Sequence, residues 1–85
     1  MDALVTVYST VWCGYCQRLK KQLIEYGVNF NEVDIEQHPE AVSIVEEVNE
    51  GNQTVPTLVF ADGYAMTNPS LQAVLSKLDE LESAK

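Results

Sequence analysis

The stretch Ala3-Leu4-Val5-Thr6-Val7-Tyr8-Ser9-Thr10-Val11-Trp12-Cys13-Gly14-Tyr15-Cys16 contains a change of period. Ala3 to Tyr8 is short, apolar and β-branched, the pattern of a buried strand. From Gly14 the period lengthens: Cys16, Leu19 and Leu23 fall at i, i+3 and i+7 and share one helix face. Cys13 therefore sits where the first strand gives way to the first helix, with Cys16 one turn further in. A first-turn pair at this spacing can bring its Cα atoms within the ~4.4–6.8 Å that a disulfide needs. Unpaired N–H groups and the helix dipole favour negative charge at Cys13, and cysteines in such places ionise below the ordinary value of about 8.5. The thiolate is the attacking species in disulfide exchange. Cys13 is expected to be that thiolate, and Cys16, deeper and on the core side, the resolving thiol.

Working outward, the remaining segments alternate. Gly27 is a helix stop. Phe30 to Ile35 is a strand by weaker alternation. Pro39 can open a second helix, because its missing N–H does no harm at the first position. Ala41, Ile44, Val45 and Val48 make its stripe, and Asn49 with Gly51 ends it. Thr57 to Phe60 is a strand, Asp62-Gly63 a hairpin turn, and Tyr64 to Met66 the return strand. Asn68-Pro69-Ser70 starts the last helix, with Asn68 as candidate N-cap and Leu71, Val74, Leu75 and Leu78 as its stripe. The reading is α/β: β-α-β-α-β-β-α, a small mixed sheet with helices on both faces. Its first two strands are parallel and its last two an antiparallel hairpin.

With 85 residues, the chain is expected to form one domain over residues 1–85. Its 46% hydrophobic and 21% charged content is that of a globular chain rather than a disordered one. No apolar run approaches the roughly 18–20 residues that span a bilayer. Met1-Asp2-Ala3-Leu4 carries an acid where a secretory leader carries positive charge, so the expected location is cytoplasmic. Five basic against 13 acidic residues give a net charge of −8. That balance repels phosphate backbones and anionic lipid, which makes nucleic acid and membrane poor partners. The cations are nonetheless placed: Arg18, Lys20 and Lys21 cluster just after the cysteines, leaving Lys77 and Lys85 elsewhere.

The two cysteines are the only ones, too few and too close for a stapled secreted domain. A closed zinc site usually takes four Cys or His ligands, and only His38 remains, so no metal is expected. His38, before Pro39, reads as a turn or capping residue. Glu46, Glu47, Asp79, Glu80 and Glu82 read as solvated helix faces. Thr54-Val55-Pro56-Thr57 places a proline ahead of a strand. Proline tolerates a cis bond, usually in a tight turn. A cis Val55-Pro56 bond would turn the Val55 N–H and C=O outward, free to pair with an extended thiol ligand, whereas an ordinary trans proline at a strand start is about equally compatible.

These features together resemble the glutaredoxin branch of the thioredoxin-like superfamily over nearly the whole chain. C-G-Y-C opens the first helix, T-V-P-T precedes the third strand, and D-G makes the hairpin. Thioredoxin proper resembles a longer chain with an added strand and helix, and usually C-G-P-C. Within the branch the match is to the mycoredoxin family of actinobacteria. It is carried by Trp12 to Cys16, Glu32 to Glu36, Val48-Asn49, Gly51-Asn52, Thr54 to Thr57, Phe60 to Gly63 and Thr67 to Ser70.

The resemblance implies a disulfide oxidoreductase that reduces mixed disulfides between proteins and mycothiol. Mycothiol would be the reducing cosubstrate, with no permanently bound cofactor. Its partners would be mycothiol and S-mycothiolated proteins, a peroxiredoxin or another thiol enzyme among them. Cys13 and Cys16 would be catalytic. Thr54, Val55 and Pro56 would meet the cysteinyl part of the thiol, Asn68 and Ser70 a further polar part, Tyr15 would wall the groove, and Trp12 would face protein substrates. The chain departs from glutathione-using relatives, which often carry a Lys before the first cysteine and a Gly-Gly-Asp-type segment at the last helix. Here Ser9-Thr10-Val11-Trp12 and Thr67-Asn68-Pro69-Ser70 stand in those places. Hydroxyl and amide groups suit a sugar-bearing thiol of little net charge better than they suit glutathione's carboxylates. Two other functions fit the same cysteines. One is a thioredoxin-like electron carrier reduced by a flavoprotein reductase and serving ribonucleotide reductase. The other is a non-catalytic protein bridging a two-iron cluster between subunits.

Overall fold

Alternating burial along Val5–Ser9, with Val5, Val7 and Ser9 inside, makes this segment the central strand β1 of the computed structural model, which describes residues 3–83. Asp2 and Lys85, both used in the charge reading, lie outside the described residues. The remaining elements are α1 (Gly14–Glu25), β2 (Asn31–Asp34), a 3-10 turn (Pro39–Ala41), α2 (Val42–Val48), β3 (Thr57–Phe60), β4 (Ala65–Thr67) and α3 (Leu71–Ser83). The four strands form one mixed sheet in the order β2-β1-β3-β4. β1 runs parallel to β2, with Tyr8 opposite Val33, and antiparallel to β3, with Val7 opposite Leu58. β3 and β4 form the expected antiparallel hairpin.

Two apolar clusters sort the helices between the sheet faces. Val5, Val7, Leu58 and Phe60 pack with Leu19 and Leu23 of α1 and Val74 of α3. On the other face Ile35, Ala41 and Val45 pack with Tyr8, Val33 and Val55. α1 and α3 thus cover one face and α2 the other. Leu23 is fully buried, so truncating it to alanine is expected to cost about 2–5 kcal/mol.

α1 stops at Gly27 for a geometric reason. Gly27 has φ +72, its N–H donates to the Ile24 carbonyl at 3.0 Å, and the Val28 N–H donates to the Leu23 carbonyl at 2.9 Å. This pair of bonds closes the helix end through a left-handed residue, and Val28 packs against the cluster that holds Leu23.

The structure moves several boundaries. The strand expected over Phe30 to Ile35 shortens to Asn31–Asp34, because Phe30 packs into the α1 and α3 cluster while Ile35 turns into the α2 cluster. Proline 39 opens a 3-10 turn and not the α-helix itself. That tighter turn shifts the phase of α2, so Ala41, Val42 and Val45 face the sheet and Ile44 is left 40% exposed. The return strand starts at Ala65: Gly63 takes φ +90 and Tyr64 stays in the turn, its carbonyl accepting from the Phe60 N–H at 2.8 Å. Lys77 of α3 holds this turn, 2.7 Å from Asp62 and 4.7 Å from the Tyr64 ring centroid.

Candidate functional site

Cys13 is the N-cap of α1, with extended backbone (φ −85, ψ 113), and its Sγ accepts the Cys16 N–H at 3.2 Å. The sulfur therefore does what a capping oxygen does elsewhere. An N–H directed at sulfur stabilises negative charge there, and the helix N-terminus adds to it. Cys13 and Cys16 are both free thiols, and both are buried, at 7% and 0% exposure. Burial first, and then the hydrogen bond with Cys13, push the Cys16 thiol up to about 12; the Thr10 backbone and the Lys20 ammonium act the other way. Cys16 is thus protonated at neutral pH, as its core-side position led one to expect.

The peptide bond between Val55 and Pro56 is cis. Its loop lies over Cys13, and the Cys13 thiol donates to the Val55 carbonyl at 3.7 Å. This corrects one expectation: the Val55 C=O is not free, since it holds the Cys13 proton. Once that proton leaves, the same carbonyl can accept from an incoming ligand. Thr54 is exposed, and its carbonyl accepts from the buried Thr57 hydroxyl at 2.7 Å.

Asn68 and Ser70 exchange roles. Asn68 has φ +44, and its N–H donates to the Pro56 carbonyl at 2.8 Å. It stands two residues before the cap position and in the wrong backbone region to cap α3. Ser70 is the cap instead: its Oγ accepts the Ala73 N–H at 3.1 Å. Both side chains remain exposed. They join Tyr15, Arg18, Gln22 and Leu71 in a groove of about 330 Å³ between α1 and the start of α3. Arg18 and Gln22 were not picked out from the sequence as groove residues. They follow Tyr15 at i+3 and i+7, a spacing that puts all three on one helix face and could have identified them.

Trp12 and Tyr15 are 70% and 65% exposed, so Trp12 is presented to solvent rather than packed on the sheet edge. Val11, at 68%, enlarges this apolar rim. Trp12 also lines a second cleft, on the α2 side, with Thr10, Ile35, Pro39, Val42 and Gln53. The basic cluster divides. Lys20 pairs with Glu32, which also accepts from the buried Ser9 hydroxyl at 3.3 Å. Arg18 is the cation in the Tyr15 groove. The His38 side chain meets Glu40 through Nδ1 at 3.2 Å, while its N–H donates to the Asp34 carbonyl at 3.0 Å and its carbonyl accepts from the Ala41 N–H at 2.8 Å, in keeping with a turn residue. Among the described residues, no group of three or more His, Cys, Asp or Glu could hold a metal ion, and no helix is long and apolar enough to cross a membrane.

Comparison with known proteins places this geometry. The model of the Glutaredoxin family matches residues 5–64. A Mycobacterium tuberculosis protein named as a glutaredoxin is 51% identical over 78 residues, spanning 92% of this chain and 93% of that one. Mycoredoxin 1 of Corynebacterium glutamicum is 42% identical over 77 residues, spanning 91% of this chain and 95% of its own. Among solved structures, the glutaredoxin of Archaeoglobus fulgidus superposes with a TM-score of 0.70 at 22% identity, covering 85% of this chain and 82% of that one. That likeness shows the shared thioredoxin-like fold.

Proposed function

Because this chain belongs to the glutaredoxin family, as a mycoredoxin-like disulfide oxidoreductase, we propose that it reduces mixed disulfides between proteins and mycothiol, with Cys13 as the nucleophile. The observation that carries the reading is the Cys13 sulfur itself, reached by the Cys16 N–H at 3.2 Å and facing the Val55 carbonyl at 3.7 Å. Cys13 loses its proton and attacks the mycothiol sulfur of the mixed disulfide. The old S–S bond breaks, the protein thiolate departs and takes up a proton, and a Cys13–mycothiol disulfide remains. A second mycothiol thiolate attacks its mycothiol sulfur, giving mycothiol disulfide and restoring the Cys13 thiolate. Cys16 offers the other exit: it gives up its proton, attacks Cys13 and releases mycothiol. That exit competes with the second mycothiol for the same Cys13–mycothiol disulfide.

Thr54, Val55 and Pro56 take the cysteinyl part of the small thiol through backbone groups. Asn68, Ser70 and Gln22 offer amide and hydroxyl groups to a sugar, and Tyr15 forms the wall. Trp12 meets the protein substrate, a peroxiredoxin or other thiol enzyme. The relationship to mycoredoxin 1 favours mycothiol over glutathione, and Arg18 adds one cation to the groove's amide and hydroxyl groups. No resident cofactor takes part. On this reading a single domain works in the cytoplasm, where small thiols keep protein thiols reduced.

A coupled assay tests this by offering one mixed-disulfide substrate with either mycothiol or glutathione as the second thiol. Turnover should need mycothiol. Equal or faster turnover with glutathione contradicts the assignment.

A further inference from the structure

We infer that Asn49 is a positioning residue that sets the width of the small-thiol groove from behind. It touches no part of the groove itself. Its side chain joins the last turn of α2 to the start of β3 and the end of β4. Nδ2 donates to the Val45 carbonyl at 2.8 Å and to Thr57 Oγ1 at 3.0 Å, and Oδ1 accepts from Thr67 Oγ1 at 2.5 Å. The Thr57 hydroxyl passes its own proton to the Thr54 carbonyl at 2.7 Å. The bonds therefore run in one direction, Asn49 N–H to Thr57 O–H to the Thr54 C=O. Thr67 O–H enters the same amide from the other side.

One end of this chain leads to the loop over Cys13 and the other to the Asn68 wall of the groove. Thr54 carries the loop whose next residue, Val55, faces Cys13. Thr67 immediately precedes Asn68, whose N–H is held by the Pro56 carbonyl at 2.8 Å. One amide anchored on the end of α2 thus fixes the Thr54–Pro56 loop and the Thr67–Asn68 corner relative to one another. Only a group that donates and accepts at once can do this. Because the Thr57 proton is committed to Thr54, Thr57 can only accept from position 49. Aspartate at this position forces the Thr57 proton round to face it and strips the Thr54 carbonyl of its donor. The bond to Thr67 survives that change. The Cys16 N–H that reaches the Cys13 sulfur belongs to α1 and does not depend on Asn49; only the longer contact with the Val55 carbonyl lies on the released loop.

This inference rests on the groove being the small-thiol site, and the test separates the two. Asn49→Asp releases the loop. Thr67→Val, at an exposed position that threatens folding little, releases the corner. Steady-state kinetics are measured with mycothiol as the varied thiol, together with the rate of Cys13 alkylation by iodoacetamide. KM for the thiol should rise about tenfold in Asn49→Asp and about threefold in Thr67→Val, the loss expected when one ordering hydrogen bond goes. In both, kcat and the alkylation rate should stay within about twofold, because the helix-borne environment of the sulfur is untouched. A KM unchanged in Thr67→Val, or kcat and alkylation falling in step with KM, overturns the inference. If the wild-type protein fails to saturate with mycothiol, the cosubstrate assignment falls instead. The same variants are then read with glutathione, where an unchanged KM again refutes the role of Asn49.

Discussion

The Cys13 thiol donates to the Val55 carbonyl, 3.7 Å away in space and 42 positions away in sequence. This contact joins the reactive sulfur to the backbone of the loop proposed to hold the substrate. The same sulfur accepts an N–H from Cys16. One atom is thus bonded both to the helix that stabilises its charge and to the loop that receives its ligand.

The two cysteines should separate cleanly on mutation. Cys13→Ser should reduce turnover of a mixed disulfide to background. Cys16→Ser should keep the mycothiol-dependent cycle, because the second mycothiol can free Cys13 without it. Loss of the cycle in Cys16→Ser would favour instead a carrier that must form the internal disulfide.

Cys16 should also leave a mark on alkaline stability. Its thiol stands at about 12 against an ordinary 9.0, so the folded chain holds this proton more tightly than the unfolded one. The stability this provides is complete below about pH 9 and drains as pH climbs towards about 12. Denaturant titrations of wild type and Cys16→Ala from about pH 8 to about pH 11 would show it. The gap between the two should shrink as pH rises, and a constant gap would contradict the assignment.

Thr10 presents a hydroxyl that is buried, at 2% exposure, and has no hydrogen-bond partner among the described residues. An unpaired buried hydroxyl costs about 1–3 kcal/mol. Thr10→Val keeps the shape and removes that cost, so the melting temperature should rise by about 4–8 °C per kcal/mol recovered. A lower melting temperature would mean that the hydroxyl is engaged in solution.

The start of α3 offers a third contrast. Ser70→Ala should cost about 1 kcal/mol through loss of the bond to the Ala73 N–H. Asn68→Gly should be near neutral for stability, since glycine accepts φ +44 without penalty. Thermal denaturation of the two variants decides which residue caps the helix. The reverse ranking would restore Asn68 as the cap.

Period and punctuation made much of this molecule legible. The β-branched run to Tyr8, the Cys16-Leu19-Leu23 stripe and Gly27 all sit where local sterics put them. Misplaced edges arose where tertiary packing overrode local pattern: Phe30 was drawn into the core, and the 3-10 turn at Pro39 rotated Ile44 outward. At the site, the cysteine pair and its place at a helix start could be read from spacing alone. The state of the Val55-Pro56 bond could not, because both isomers fit the same residues. Nor could the bonds linking Asn49, Thr57 and Thr67, which depend on the end of α2 meeting the β3–β4 hairpin and have no signature along the chain.

The most direct measurement is the mass of the trapped intermediate. Cys16→Ser is mixed with an S-mycothiolated protein, quenched with acid, and read by intact mass and peptide mapping. One mycothiol on Cys13, with the substrate protein released as free thiol, is the expected result. A covalent link between Cys13 and the substrate protein, or no adduct on Cys13 at all, would contradict it.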